Sequence, residues 1–273
     1  MSGPLTLDLV DGVATVTIDH PPINLFDLQL YPAMVTMADR LASDPAVRVV
    51  VLRSAVHDFF IAHFDVTLIQ MLPVDPPSTD VLNDFHRMCE VMRTMPKATI
   101  AVIEGRIGGG GSELALSCDM RFAALGRAVF NQPEVALGIL PGGSGTVRLP
   151  RLIGRSRALE SILGCDDIDA LTAERWGWVN RALPPDELWP FVQRLAHRIS
   201  GFPPHAVAAA KAAVLRAERG VVPDLLQEAA AFSATLGEPA TRAALAAFMA
   251  AGGQTPAGEL RLADLVAPAP GFT

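Results

Sequence analysis

Apolar and polar residues alternate along "LTLDLVDGVATVTID" on both sides of Asp11-Gly12. A period of two suits a half-buried strand, and Asp-Gly tolerates the positive φ values of a tight turn, so the stretch predicts a β-hairpin. "PPIN" (Pro21 to Asn24) predicts a turn, and an amphipathic helix pattern follows over about 27–41. "VRVVVLR" is a β-branched run short enough for a buried strand over 47–53. An irregular segment, "SAVHDFFIAHFDV", leads to a helix predicted over 81–95 and stopped by Pro96. A second buried strand is expected over 98–105, then a glycine run, a helix from "ELALSC", and short strands from "DMRFAA" and "AVF".

Strand, loop and helix recur to about residue 185, which predicts a mixed α/β body. From Asp186 onward the pattern becomes helical. "PPHAVAAAKAAVLRAERG" opens on prolines and closes on Gly220, as helices tend to. Two further helical segments follow. The expected division is a core over 1–200, carrying the active site, and a helical region over 201–273.

Composition narrows the function without naming it. Half of the 273 residues are apolar, so a large core is within reach. A net charge of −7, from 22 basic and 29 acidic residues, argues against a general nucleic-acid or membrane-surface binder. It leaves room for an anionic small ligand. Cys89, Cys118 and Cys165 have no CxxC spacing and read as reduced thiols. The start carries no basic-then-apolar leader, and no apolar run approaches the roughly 20 residues of a membrane span. A cytoplasmic protein is expected.

"RIGGGGSELALSCD" (Arg106 to Asp119) raises the question of chemistry. A phosphate loop needs Gly-Lys-Ser/Thr after its glycines, and here Gly111 is followed by Ser112-Glu113. The dinucleotide pattern needs glycine where Leu114 stands. "GGSGT" narrowly misses a nucleophile elbow at Thr146. Two readings remain open. Backbone N–H groups at the start of a helix, bared by glycine, suit an oxyanion site for a carbonyl substrate. Alternatively, the glycines only permit close packing of strand and helix. A second glutamate, Glu134, lies in "FNQPEVALGILPGGSG" after Pro133, in a predicted turn beside another glycine-rich loop. Two carboxylates placed in this way suit a paired acid–base system.

Taken together, "HPPINLFD", "DPAVRVVVLRS", "DFFIAHFDV", "KATIAVIEGRIGGGGSELALSCDMRFAA", "FNQPEVALGILPGGSGTVRLPRLIG" and "AAAKAAV" resemble the enoyl-CoA hydratase/isomerase (crotonase) superfamily. The resemblance implies an α/β spiral of ββα units and a C-terminal helical region that builds homotrimers, often paired into hexamers. It implies an acyl-CoA thioester as substrate, with no metal and no cofactor beyond the CoA that the substrate carries. By motif position, the backbone N–H groups of Phe64 and Gly110 would hold the thioester oxygen, each worth roughly 3–4 kcal/mol. Glu113 and Glu134 would share the proton chemistry of adding water to a 2-enoyl-CoA. An enoyl-CoA isomerase, an acyl-CoA hydrolase and a silent CoA-ester-binding subunit are the alternatives.

This chain also departs from the family pattern. Where hydratases commonly have Ala-Gly-Ala-Asp, it has Ala62-His63-Phe64-Asp65, so a ring enters the acyl side and a histidine stands beside an oxyanion donor. His63 is either a packed residue bonded to a loop carbonyl or a third titrating group near the thioester. Asp65, Gly109, Gly142 and Val147 are further candidates for the pocket, Val147 standing where glutamine is frequent. Asp119 is expected to be structural. Arg148, Arg151 and Lys211 are the basic residues considered for the CoA phosphates.

Overall fold

The alternating first segment folds as its pattern predicts. Strands β1 (Leu5–Val10) and β2 (Val13–Ile18) pair antiparallel, with Val10 opposite Val13. The turn between them holds Asp11 and Gly12 at φ 50° and 79°, which is why Asp-Gly is found there. The computed structural model describes residues 3–74 and 79–267.

Two sheets organise the body. The larger contains β1, β2, β3 (Val49–Ser54), β5 (Ala98–Ile103), β7 (Met120–Ala124) and β10 (Arg181–Leu183), in that spatial order and parallel from β2 onward. The smaller contains β4 (Phe59–Ile61), β6 (Arg106–Gly108), β8 (Val129–Asn131) and β9 (Ile168–Asp169). The chain alternates between them: β3 then β4, β5 then β6, β7 then β8. Each pass moves one strand along both sheets.

The predicted buried strands therefore hold, with bounds shifted by one or two residues. The helix expected over 27–41 spans Leu30–Ser43, because Asp27 turns the chain instead and accepts hydrogen bonds from the N–H groups of Gln29 and Leu30. The helix expected over 81–95 spans Asp84–Thr94, with Asn83 capping the His86 N–H. The segment read as irregular contains β4, and the start of the glycine run is strand β6. At three residues, each is too short to show a period.

One face of the larger sheet is covered by the helix Pro185–Ser200. Its buried Leu188, Val192 and Ala196 meet Val49, Val51, Ile100, Val102 and Phe122. Each buried Leu or Val there contributes about 1.5–3 kcal/mol. The other face packs against the helices Leu30–Ser43 and Asp84–Thr94 through Leu30, Met34, Leu41, Met88 and Met92. A separate cluster joins Val66, Leu137 and Ile139 to Leu236, Leu245, Phe248 and Leu262 of the C-terminal helices. Through it the chain's last elements reach the loops at the ends of the small sheet.

Candidate active site

The helix that carries Glu113 spans Gly109–Leu116 and starts two residues before its expected origin near Gly111. A Cβ on Gly108 would stand 2.8 Å from the Ala62 carbonyl, and one on Gly111 would press on the Ile61 carbonyl at 2.5 Å. These two glycines let β4 lie against the helix. Gly109 takes φ +43°, a conformation unfavourable for a side chain. Gly110 differs, since a Cβ there would make only ordinary contacts, 3.5 Å to Phe64 Cβ and 3.4 Å to Phe85 Cζ. Close packing thus accounts for Gly108 and Gly111, while Gly110 presents its backbone to Phe64. The helix has no side-chain N-cap, and first-turn N–H groups lack intrahelical acceptors. Among the described residues, the N–H groups of Phe64 and Gly110 bond to no protein acceptor.

Glu113 is buried, and its Oε1 accepts hydrogen bonds from the Gly143 and Gly145 N–H groups at 2.8 Å each. The turn that aims both donors depends on Ser144 at φ 108°, a strained conformation costing about 1–3 kcal/mol. Ser144 is locked by the Arg148 Nε–H, which donates to its Oγ at 2.9 Å. Oε2 of Glu113 faces the Gly143 Cα together with the edge of the Phe85 ring. Burial pushes the Glu113 carboxyl well above the usual range. The negative charges of Glu134 and Glu228 push the same way, against the pull of the Gly145 and Gly143 donors.

Glu134 opens a one-turn 3-10 helix, Glu134–Leu137, where a turn was expected. It is buried, and its Oε1 lies 2.9 Å from the point a Cβ on Gly109 would occupy. Burial raises its pKa to about 7, with its own backbone N–H and His63 pulling down and Glu228 pushing up. The Gln132 amide reaches one of the two carboxyls: its Nε2 donates to Glu134 Oε2 at 3.4 Å, and both Nε2 and Glu113 Oε1 lie about 3 Å from the point a Cβ on Gly145 would occupy. The structure therefore brings Glu113, Glu134, Gly109, Gly110 and Phe64 into one site. A patch of rings lies beside it. Phe64, Phe85, Tyr31 and Phe26 stack with centroids 5.2–6.4 Å apart.

Two further carboxylates come from the C-terminal helices, and the sequence gives no local hint of either. Glu228, on the helix Val221–Leu236, is buried and accepts from the Thr146 N–H at 2.9 Å, from the Thr146 hydroxyl, and from His86 Nε2 at 3.2 Å. Glu259, on the short helix Pro256–Glu259, faces His63 Nε2 at 3.1 Å and accepts the Gln254 N–H at 2.6 Å. His63 Nδ1 lies 2.8 Å from the Phe64 carbonyl.

Other candidates sit elsewhere. Asp65 caps the helix Val66–Ile69 through the Thr67 N–H and receives the Gln254 amide at 3.1 Å. A Cβ on Gly142 would overlap the Phe232 ring, so the carboxylate donors are Gly143 and Gly145, not Gly142. Val147 packs with Val221 and Leu225. Asp119 accepts the Thr99 N–H and pairs with Lys211 at 2.8 Å, a structural role as expected. Arg148 is buried against Glu90 at 2.6 Å and Arg151 pairs with Asp224, so both are committed within the fold. Among the described residues, no cluster of three or more His, Cys, Asp or Glu could hold a metal, and no helix is long and apolar enough to cross a membrane.

The family model described as enoyl-CoA hydratase/isomerase matches residues 8–252. The chain belongs to the enoyl-CoA hydratase/isomerase family. Among curated members, it is 39% identical over 171 residues to a crotonyl-CoA hydratase of Syntrophomonas wolfei, a match covering 62% of this chain and 65% of that one. It is 35% identical to a short-chain-enoyl-CoA hydratase of Clostridium acetobutylicum, covering 75% of this chain and 78% of that one. A crystal structure of a Streptomyces avermitilis protein described as an enoyl-CoA hydratase superposes with a TM-score of 0.88 at 38% identity, covering 97% and 98% of the two chains. The mixed α/β architecture is thus that of crotonase-like members of the family.

Proposed function

We propose that this chain hydrates 2-enoyl-CoA thioesters. The observation that carries the reading is the pairing of two buried carboxyls, Glu113 and Glu134, beside the uncommitted N–H groups of Phe64 and Gly110. The thioester oxygen accepts those two N–H groups. A water held between the carboxyls loses a proton to the ionised one as its oxygen bonds to C3. The C2=C3 π electrons move toward C1, and the negative charge rests on the thioester oxygen. C2 then takes the proton held by the other carboxyl, so the pair again carries one proton. Hydration is redox-neutral, and CoA enters as part of the substrate.

Isomerisation needs one base, and retention of two coupled carboxyls favours hydration. The ring-lined acyl side and the short-chain activity of the Clostridium relative favour short acyl groups. The stepwise alternation between the sheets supports the ββα spiral. The helix Pro204–Leu215 buries none of its residues within the chain, which supports a trimer, alone or paired, contacting through such helices. A panel of 2-enoyl-CoA esters followed by mass spectrometry tests the reaction. Gain of one water is expected. A positional isomer, free CoA, or no change on any ester would overturn it.

A further inference from the structure

His63 stands between two carboxylates. Its Nδ1 meets the Phe64 carbonyl at 2.8 Å, and a carbonyl only accepts, so Nδ1 carries a proton. Its Nε2 meets Glu259 Oε1 at 3.1 Å. That same oxygen accepts the Gln254 N–H at 2.6 Å, a bond that favours the ionised carboxylate. Both ring nitrogens therefore face acceptors, the environment of an imidazolium. The pair is buried, with side chains 7% and 2% exposed, so neither charge is neutralised by solvent. The Phe248 ring packs edge-on at 5.9 Å and fixes the imidazole plane.

The other side of His63 faces the acid–base pair. A Cβ on Gly109 would lie 3.1 Å from His63 Cβ and 2.9 Å from Glu134 Oε1, so one glycine separates the two side chains. We propose that His63 is a positioning residue for Glu134: clamped between the Phe64 carbonyl and Glu259, it presents a fixed positive charge that favours the ionised carboxyl. The inference rests on the role given above to Glu134 in hydration.

Glu134 is faced by Glu113 and Glu228, which oppose its ionisation, and by His63, which promotes it. The Cys165 thiol lies near it as well. Behind Glu259 stands Arg106, itself paired with Asp167. Burial works against the charged ring, but Glu259, the Phe64 carbonyl and Glu134 outweigh it and raise the His63 pKa above its ordinary value. Glu259 is held below its ordinary value despite burial, chiefly by His63.

Four proteins test the assignment: wild type, His63→Asn, Glu259→Gln and the double variant. Asparagine keeps a donor for the Phe64 carbonyl without the charge. Glutamine keeps an acceptor for Gln254 and removes the counter-ion. The rise of kcat/KM with pH is expected to move upward by about one unit in both variants, with KM nearly unchanged. A double variant should shift no further than His63→Asn alone. Nitrogen-15 NMR of the wild-type ring should show both nitrogens protonated at neutral pH, and Glu259→Gln should convert it to the neutral form. A neutral ring in wild type, or profiles that superpose while only thermal stability falls, would overturn the proposal. The NMR measurement needs no turnover. If the chain hydrates none of the esters, the functional reading fails while the clamped imidazolium is still decided.

Discussion

Replacing Glu113 by glutamine separates its chemistry from its place in the fold. The amide oxygen can still accept the Gly143 and Gly145 N–H groups now bonded to Oε1 at 2.8 Å. The nitrogen then occupies the Oε2 position and can neither take nor return a proton. Loss of one acid–base partner costs about 10²–10⁴-fold, or roughly 3–5 kcal/mol in the barrier. Stability should move the other way. The folded carboxyl titrates well above 4.5, so between pH 4.5 and that value the unfolded chain ionises while the folded one stays protonated. Wild-type stability therefore declines as pH rises, by about 1.4 kcal/mol per unit at most from this group. Glu113→Gln removes that decline, so its melting temperature relative to wild type should climb from pH 5 to pH 8. Glu113→Ala instead strands two buried N–H groups, at about 1–3 kcal/mol each, and should melt lower at every pH. The assays are loss of enoyl-thioester ultraviolet absorbance and thermal melts across pH. Near-wild-type turnover in Glu113→Gln, or a glutamine variant that melts as low as the alanine one, would refute the reasoning.

Other consequences follow from the same geometry. Burial puts the Glu134 pKa at about 7, so its ionised form gains as pH rises through that value and hydration should increase across that interval; a flat stopped-flow profile from pH 6 to 8 would contradict this. Glu228→Gln removes a charge that raises both carboxyls, while Thr146 keeps an oxygen to bond and the amide nitrogen faces His86, and should move that rise to lower pH in the same assay. Gly143→Ala places a methyl group on the Glu113 carboxylate and the Phe85 ring and should cut turnover by at least about tenfold, checked by kinetics beside a circular-dichroism spectrum of the intact fold. Phe85→Ala should raise kcat/KM for longer enoyl esters relative to crotonyl-CoA, because the Phe85 ring edge closes on Gly110 and Gly143; an unchanged chain-length preference would count against that placement.

The hairpin, the buried strands and the helical C-terminal third were legible because each shows its period over at least five residues. β4, β6 and β9 were not, since two or three residues carry no period. Glu113 and Glu134 could be singled out as candidates because glycine runs mark them locally, and the structure buries both, while Gly142 abuts the Phe232 ring and Val147 packs with Val221 and Leu225. Gln132 lay two residues from Glu134 in the same motif and could have been found with it. Glu228 and Glu259 could not. Their histidine partners lie 142 and 196 residues away, and an isolated glutamate on an Ala-rich helix looks like any solvated charge. Only tertiary packing makes them buried counter-charges.

The helix of Glu228 is held to the body by Leu236 in a satellite cluster and by Val221 and Leu225 against Val147, and Glu259 lies in the chain between Phe248 and Leu262 of that satellite cluster; none of these contacts belongs to the main core. Cooperative units of this kind can open below the global melting point. A partial detachment would leave both sheets, Glu113 and Glu134 in place while removing the Glu228 charge that raises both carboxyls and the Glu259 partner of His63. On gentle heating the enzyme would first change its pH optimum and only later lose its secondary structure, so the acid–base setting of the site is less heat-resistant than the scaffold that displays it.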